Sequence, residues 1–371
     1  MRRLSRRAAG RAVLIGTLCF TSQSLAGWTY TPLGPLGAGQ SEAFGLAAVQ
    51  QAGYADYGLS RHAGLWNGSS SSWVDLHPSS ATHSWANGTS GTQQVGVAVV
   101  NEVYRASLWS GTAASWVDLT PSSATDGWAY GVHGGQQVGS VHIDSALHAS
   151  LWSGSASSWI DLHPAGAVYS EAYAISSEGQ VGFVTSNGAG RASLWHGTAE
   201  SWTDLSPAGI TESYAWDIGD GQQTGYARVN GQYHASVWSG TAESWVDLGT
   251  GTGTESYAWG VAGGIQVGQT AINTTTHASL WMGSAQSYVD LGALLPIDTY
   301  THSVARSVTV DGNGTITVAG WALNTHHDAY EAMLWTLPAI PAPATILTLA
   351  PTVLAMWPRR RVINNVFALP D

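Results

Sequence analysis

Lysine is absent from this 371-residue chain, and arginine is scarce where a polyanion would need it. Five of the 13 Arg lie before residue 12 and three stand at 359–361. That leaves Arg61, Arg105, Arg191, Arg228 and Arg306 in the body, against 23 of the 24 acidic residues. A phosphate backbone would be repelled by such a surface, which argues against nucleic acid as a partner. Cysteine is nearly absent too: Cys19 is the only one. It falls inside a segment with the features of a leader, so the exported chain would hold no disulfide, thiolate metal site or Cys nucleophile. Long apolar runs are missing as well. The stretch 346–357 is short for a membrane span and contains Pro351. Uninterrupted runs of helix formers do not occur, which excludes helical solenoids. His-Glu-x-x-His, a phosphate loop and a Ser/His/Asp set are all missing outside the repeat described next.

Glycine (45) and tryptophan (19) are abundant, and they recur on a fixed period. Leu-Trp or its variant places Trp66, Trp109, Trp152, Trp195, Trp238 and Trp281 at steps of 43 residues, and Trp335 follows after 54. Within the sixth unit, 256–260, 265–268, 277–281 and 287–291 each alternate in polarity and are bounded by turn formers, so each reads as a strand. Four strands in some 43 residues is the size of a propeller blade. Other columns keep the same step. Gln-Val-Gly or a close variant starts at Gln51, Gln94, Gln137, Gln180, Gln223 and Gln266, and an alanine stands at Ala43, Ala86, Ala129, Ala172, Ala215, Ala258 and Ala305.

The last unit supplies three strands and breaks off at Pro338, while Tyr30-Thr31-Pro32-Leu33-Gly34 looks like a fourth strand with no unit before it. Joining the two predicts an all-β, seven-bladed β-propeller closed by the N-terminal strand, because an open array would leave a strand edge and an apolar face in water.

The two ends carry addresses. Arg2, Arg3, Arg6, Arg7 and Arg11, the apolar run 12–20 and Ser24-Leu25-Ala26 form the three regions of a signal peptide. The expected division is a signal peptide at 1–26, a propeller at 27–338, and a linker with a sorting tail at 339–371. The tail joins Pro341-Ala342-Pro343 to the apolar stretch and to the Arg cluster. It resembles the PEP-CTERM class of sorting tails, which implies exosortase-type processing machinery as a partner, cell-surface or secreted localisation, and only transient membrane contact through the tail.

The repeat itself resembles the HAF family of extracellular repeats. Its His-Ala-Phe triplet is represented here by His62-Ala63-Gly64, Arg105-Ala106-Ser107, His148-Ala149-Ser150, Arg191-Ala192-Ser193, His234-Ala235-Ser236 and His277-Ala278-Ser279, with the Phe never present. The Gln-Val-Gly and Asp-Leu-Gly elements are kept. The resemblance covers nearly all of 28–337 and implies an exported propeller-like protein without an established activity.

Asp75, Asp118, Asp161, Asp204, Asp247 and Asp290 recur one per unit. Carboxylates spread evenly round a ring cannot converge on one substrate, and a turn-holding hydrogen bond is the expectation. The column His62, Arg105, His148, Arg191, His234, His277, Glu331 is expected to cap strand ends, since Arg does not ligate metals. His326-His327-Asp328 lies in the final, longer unit and reads as a solvated loop. No cofactor is expected beyond a surface Ca2+ drawn by the acidity. Sugar-stacking aromatics on the axis-facing strand are the one ligand-binding set: Trp85, Trp128, Trp216 and Trp259. With six units nearly uniform in length and no long inserted loops, the expected function is a monomeric, non-catalytic binding or structural module for carbohydrate, matrix or envelope proteins. The rival is an extracellular polysaccharide hydrolase or lyase on the same scaffold.

Overall fold

The computed structural model describes residues 25–339 apart from 187 and 252–254. The signal and sorting segments therefore lie outside the described residues, as does Cys19. Seven antiparallel sheets of four strands form the seven blades of a β-propeller. Blades 1 to 6 span 41–75, 83–118, 127–161, 169–204, 213–247 and 256–290. Each runs in strict order from an inner strand to a two-residue outer strand. Blade 7 takes three strands from 300–337 and its outer strand from Thr29–Pro32. The register is Thr29 to Thr336, Tyr30 to Trp335, Thr31 to Leu334 and Pro32 to Met333. The extra length of the last unit is shared between longer first and second strands, Tyr300–Val310 and Ile316–Asn324, and longer hairpin turns at 311–315 and 325–328.

Each repeated residue type has a physical task. The seven Leu-Trp tryptophans are fully buried, one in each of seven apolar clusters that join neighbouring blades. Trp109 of blade 2, for example, packs with Ala52, Ala63, Leu65 and Leu76 of blade 1. The glutamine of Gln-Val-Gly accepts a backbone N–H from the turn after the Leu-Trp strand, as in Gly68 N to Gln51 Oε1 at 2.9 Å and Gly240 N to Gln223 Oε1 at 2.7 Å. Its glycine is demanded by close approach. A Cβ at Gly53, Gly96, Gly139, Gly182, Gly225, Gly268 or Gly320 would overlap a carbonyl oxygen of the inner strand.

At the rim, two columns that the sequence treats separately prove to be partners. Nδ1 of His62, His148, His234 and His277 lies 2.7–2.9 Å from Oδ2 of Asp75, Asp161, Asp247 and Asp290. Arg191 pairs with Asp204 at 2.8 Å and Arg105 with Asp118 at 3.8 Å. The strand-end caps expected from the sequence are thus same-blade pairs, His–Asp hydrogen bonds in four blades and Arg–Asp ion pairs in two. The Asp also holds the turn, with Asp161 Oδ1 accepting the N–H of His163 at 2.8 Å. Blade 7 replaces the pair: Glu331 accepts from the Tyr300 hydroxyl at 2.8 Å and from Asn324 at 3.2 Å.

Candidate functional site at the propeller axis

Every inner strand carries an irregularity at the same place, and that of blade 7 has a second one between Tyr300 and Ser303. The register slips between Ala43 and Gly45, Ala86 and Gly88, Ala129 and Gly131, Ala172 and Ala174, Ala215 and Asp217, Ala258 and Gly260, and Ala305 and Ser307. The residues left out of the ladder are Phe44, Asn87, Tyr130, Tyr173, Trp216, Trp259 and Arg306. A bulge of this kind re-aims its extra side chain. Here it delivers one side chain per blade to a common ring.

The ring is continuous over most of its circumference. Tyr130 meets Tyr173 edge-on at 5.2 Å, Tyr173 stacks on Trp216 at 4.0 Å, and Trp216 meets Trp259 at 4.8 Å. The Arg306 guanidinium closes the circuit, 5.0 Å from the centroid of Trp259 and 5.7 Å from that of Phe44. A cavity of 250 Å³, to which all seven blades contribute, is lined by Phe44, Asn87, Tyr130, Trp216, Trp259 and Arg306 together with the residues that follow them.

One carboxyl and one guanidinium line this cavity. Asp217 stands directly after the bulge, where the other blades place Gly45, Gly88, Gly131, Ala174, Gly260 and Ser307. Its Oδ2 accepts the N–H of Val261 in blade 6 and its Oδ1 the N–H of Ile218, both at 2.9 Å. Desolvation outweighs these two donors and pushes its carboxyl up to about 7. Arg306 is the other group. Its Nε is buried and has no hydrogen-bond partner, and no ion pair among the described residues includes it. Burial pulls its guanidinium below the ordinary value, and the carboxyl of Glu42 opposes that shift. Glu42 is itself pushed up by burial while it accepts from Tyr54.

The structure divides the four tryptophans singled out by type. Trp216 and Trp259 belong to the ring and line the cavity. Trp85 and Trp128 stand immediately before the repeated alanine, two residues short of the bulge, and do not line the cavity. They flank Tyr104, at 6.2 Å and 5.5 Å. Sequence reasoning passed over Asp217 and treated Arg306 only as one of five body arginines. The available signal was a column after an invariant alanine in which residue type keeps changing. His326, His327 and Asp328 are exposed in a hairpin turn. Among the described residues no group of three His, Cys, Asp or Glu could hold a metal ion.

No protein-family model and no curated protein matches the chain. Solved propellers do resemble it in shape. Puromycin hydrolase is 12% identical with a TM-score of 0.51, covering 77% of this chain and 50% of the hydrolase, so the chain spans about half that protein's length. The acylaminoacyl peptidase of Pyrococcus horikoshii is 9% identical with a TM-score of 0.52, covering 80% of this chain and 51% of the peptidase. Oligogalacturonate lyase from Vibrio parahaemolyticus is 10% identical with a TM-score of 0.51, covering 83% of this chain and 93% of the lyase. Identity at this level speaks for the fold alone.

These likenesses correct one expectation. Uniform blades were read as the mark of a non-catalytic binding or structural module, yet the solved propellers of this shape include enzymes. Regular blade length is therefore no argument against catalysis. The reason is geometric: a site at the axis needs no inserted loop, because a single bulged residue per blade already reaches it.

Proposed function

We propose that this chain is an exported propeller enzyme that works on a small substrate held at its axial mouth. The observation that carries the proposal is the ring of bulged residues. The Leu-Trp, Gln-x-Gly and alanine columns that build the blades keep their type almost throughout, but the column aimed at the axis holds Phe44, Asn87, Tyr130, Tyr173, Trp216, Trp259 and Arg306. A position that accepts so many types is not needed in one form by the fold, and its variety serves what it faces.

In this reading Trp216 and Trp259 form part of the wall that holds the substrate, and Asp217 is the catalytic residue. A carboxyl held near neutrality can both give and take a proton, which is what general acid–base chemistry requires. Export rests on the leader at 1–26 and retention at the surface on the tail at 339–371. The likeness of the repeat to HAF proteins and of the tail to PEP-CTERM proteins supports the same location. The test is a small-molecule turnover screen on the secreted protein, followed by Asp217→Asn on any active substrate. The expected loss is at least about 100-fold in kcat with KM little changed. Undiminished turnover in Asp217→Asn would overturn the assignment.

A further inference from the structure

The axial ring carries a positive charge that forms no direct ion pair among the described residues. Six of its seven members, Phe44, Asn87, Tyr130, Tyr173, Trp216 and Trp259, are uncharged, and the seventh is Arg306. The body of this chain is otherwise strongly acidic, so a cation turned inward to the axis is the exception to its charge pattern. The neighbouring carboxyl that could neutralise it, Glu42, is committed to the Tyr54 hydroxyl and forms no ion pair with Arg306 among the described residues. Its buried Nε–H has no acceptor among the described residues, which leaves that donor open to a ligand.

We propose that Arg306 is the anchor of an axial anion site, and that the ligand is a small organic monocarboxylate. The proposal rests on the axial mouth being the working site and adds the chemical class of what enters it. Two observations set that class. A single guanidinium matches one carboxylate, whereas a phosphate dianion beside Glu42 and above an acidic body would be under-neutralised. The cavity, at 250 Å³, exceeds the roughly 150 Å³ that accommodates benzene in a protein cavity, so it has room for a small carboxylate.

The experiment uses the full secreted chain at low salt, with benzoate and benzamide as probes of equal shape and different charge, read by tryptophan fluorescence and calorimetry. The expected result is at least tenfold tighter binding of benzoate. Arg306→Met should abolish that preference and Arg306→Lys should keep part of it. Trp85→Phe, outside the cavity, should bind as the parent does, and circular dichroism confirms folding of each variant. Equal binding of the two probes, or a preference that survives in Arg306→Met, overturns the anion assignment. If both probes bind equally and Trp216→Ala removes both, the axial mouth stands and only the anion fails. Binding of neither probe overturns the proposal, and the ligand-handling role of the mouth falls with it.

Discussion

Two belts of this propeller keep the same 43-residue step and differ in what they allow to vary. In the blade body and at the rim, Leu-Trp, Gln-Val-Gly and Trp-x-Asp return in nearly every unit, because each residue meets the same neighbour in the same geometry. At the axis the neighbours are the other blades' side chains, converging on one point, so seven equal residues would crowd or repel one another. The inner-strand bulge aims a position there, and residue type then changes from blade to blade. Repetition marks what holds the ring together, and the broken column marks what the ring presents.

The comparison can be broken or sharpened at several strengths. Trp238→Ala, in the uniform belt, should destabilise the fold by about 3–5 kcal/mol in urea unfolding, since the indole is fully buried between blades 4 and 5. Trp216→Ala, on the axial ring, should cost less than half as much; an equal loss would erase the distinction between the belts. Asp217 gives the next largest effect, through pH. Its folded value is raised from 3.8 to about 7, so the folded state holds the proton more tightly than the unfolded chain does. The stability this contributes is complete below about pH 4 and is lost as the pH rises through about 7, to a total of a few kcal/mol. Thermal unfolding from pH 4 to 8 should show that slope in the parent. Asp217→Asn should show a constant offset, from one lost N–H acceptor, without the slope.

The rim ion pairs should matter least. His277 is raised above the ordinary value by its hydrogen bond to Asp290. Its contribution is therefore present below pH 6.5 and fades as the pH climbs through the folded value. Half-exposed pairs of this kind contribute less than about 1 kcal/mol. NMR titration should find His277 shifted upward and returned to the ordinary range by Asp290→Asn. An unshifted His277 in the parent would mean that the paired geometry is not kept in solution.

The architecture was legible because tryptophans on a fixed step advertise equal modules, and because the strand-like 30–34 segment had no other module to join. The axial site was legible only in part. Residue type singles out Trp216 and Trp259, which lie on the axial ring, and equally Trp85 and Trp128, which stand two positions before the bulge. Nothing in a local pattern announces a bulge; its trace is indirect, in the glycine of Gln-Val-Gly that leaves room for the inner-strand carbonyl. Asp217 escaped notice because a lone carboxyl in an acidic chain has no motif around it. Arg306 escaped because the longer last unit shifts it off the common step, to 47 residues after Trp259. The pairing of His62 with Asp75 was hidden for another reason: the two lie 13 residues apart on strands that meet only once the blade has formed.

Thr29–Pro32 has its partners on the far side of the sequence, with Thr29 and Thr336 separated by 307 positions. Blades 1 to 6 draw all four strands from one continuous stretch and can assemble as each is synthesised. The last blade cannot, because its outermost strand is the earliest piece of the ring to be made. Until blade 7 is made, the leading strand has no partner strand and the axial ring lacks Arg306. A chain interrupted before blade 7 would therefore lose its clasp and its only axial cation in the same event, so closing the circle and completing the site are a single step in this protein's maturation.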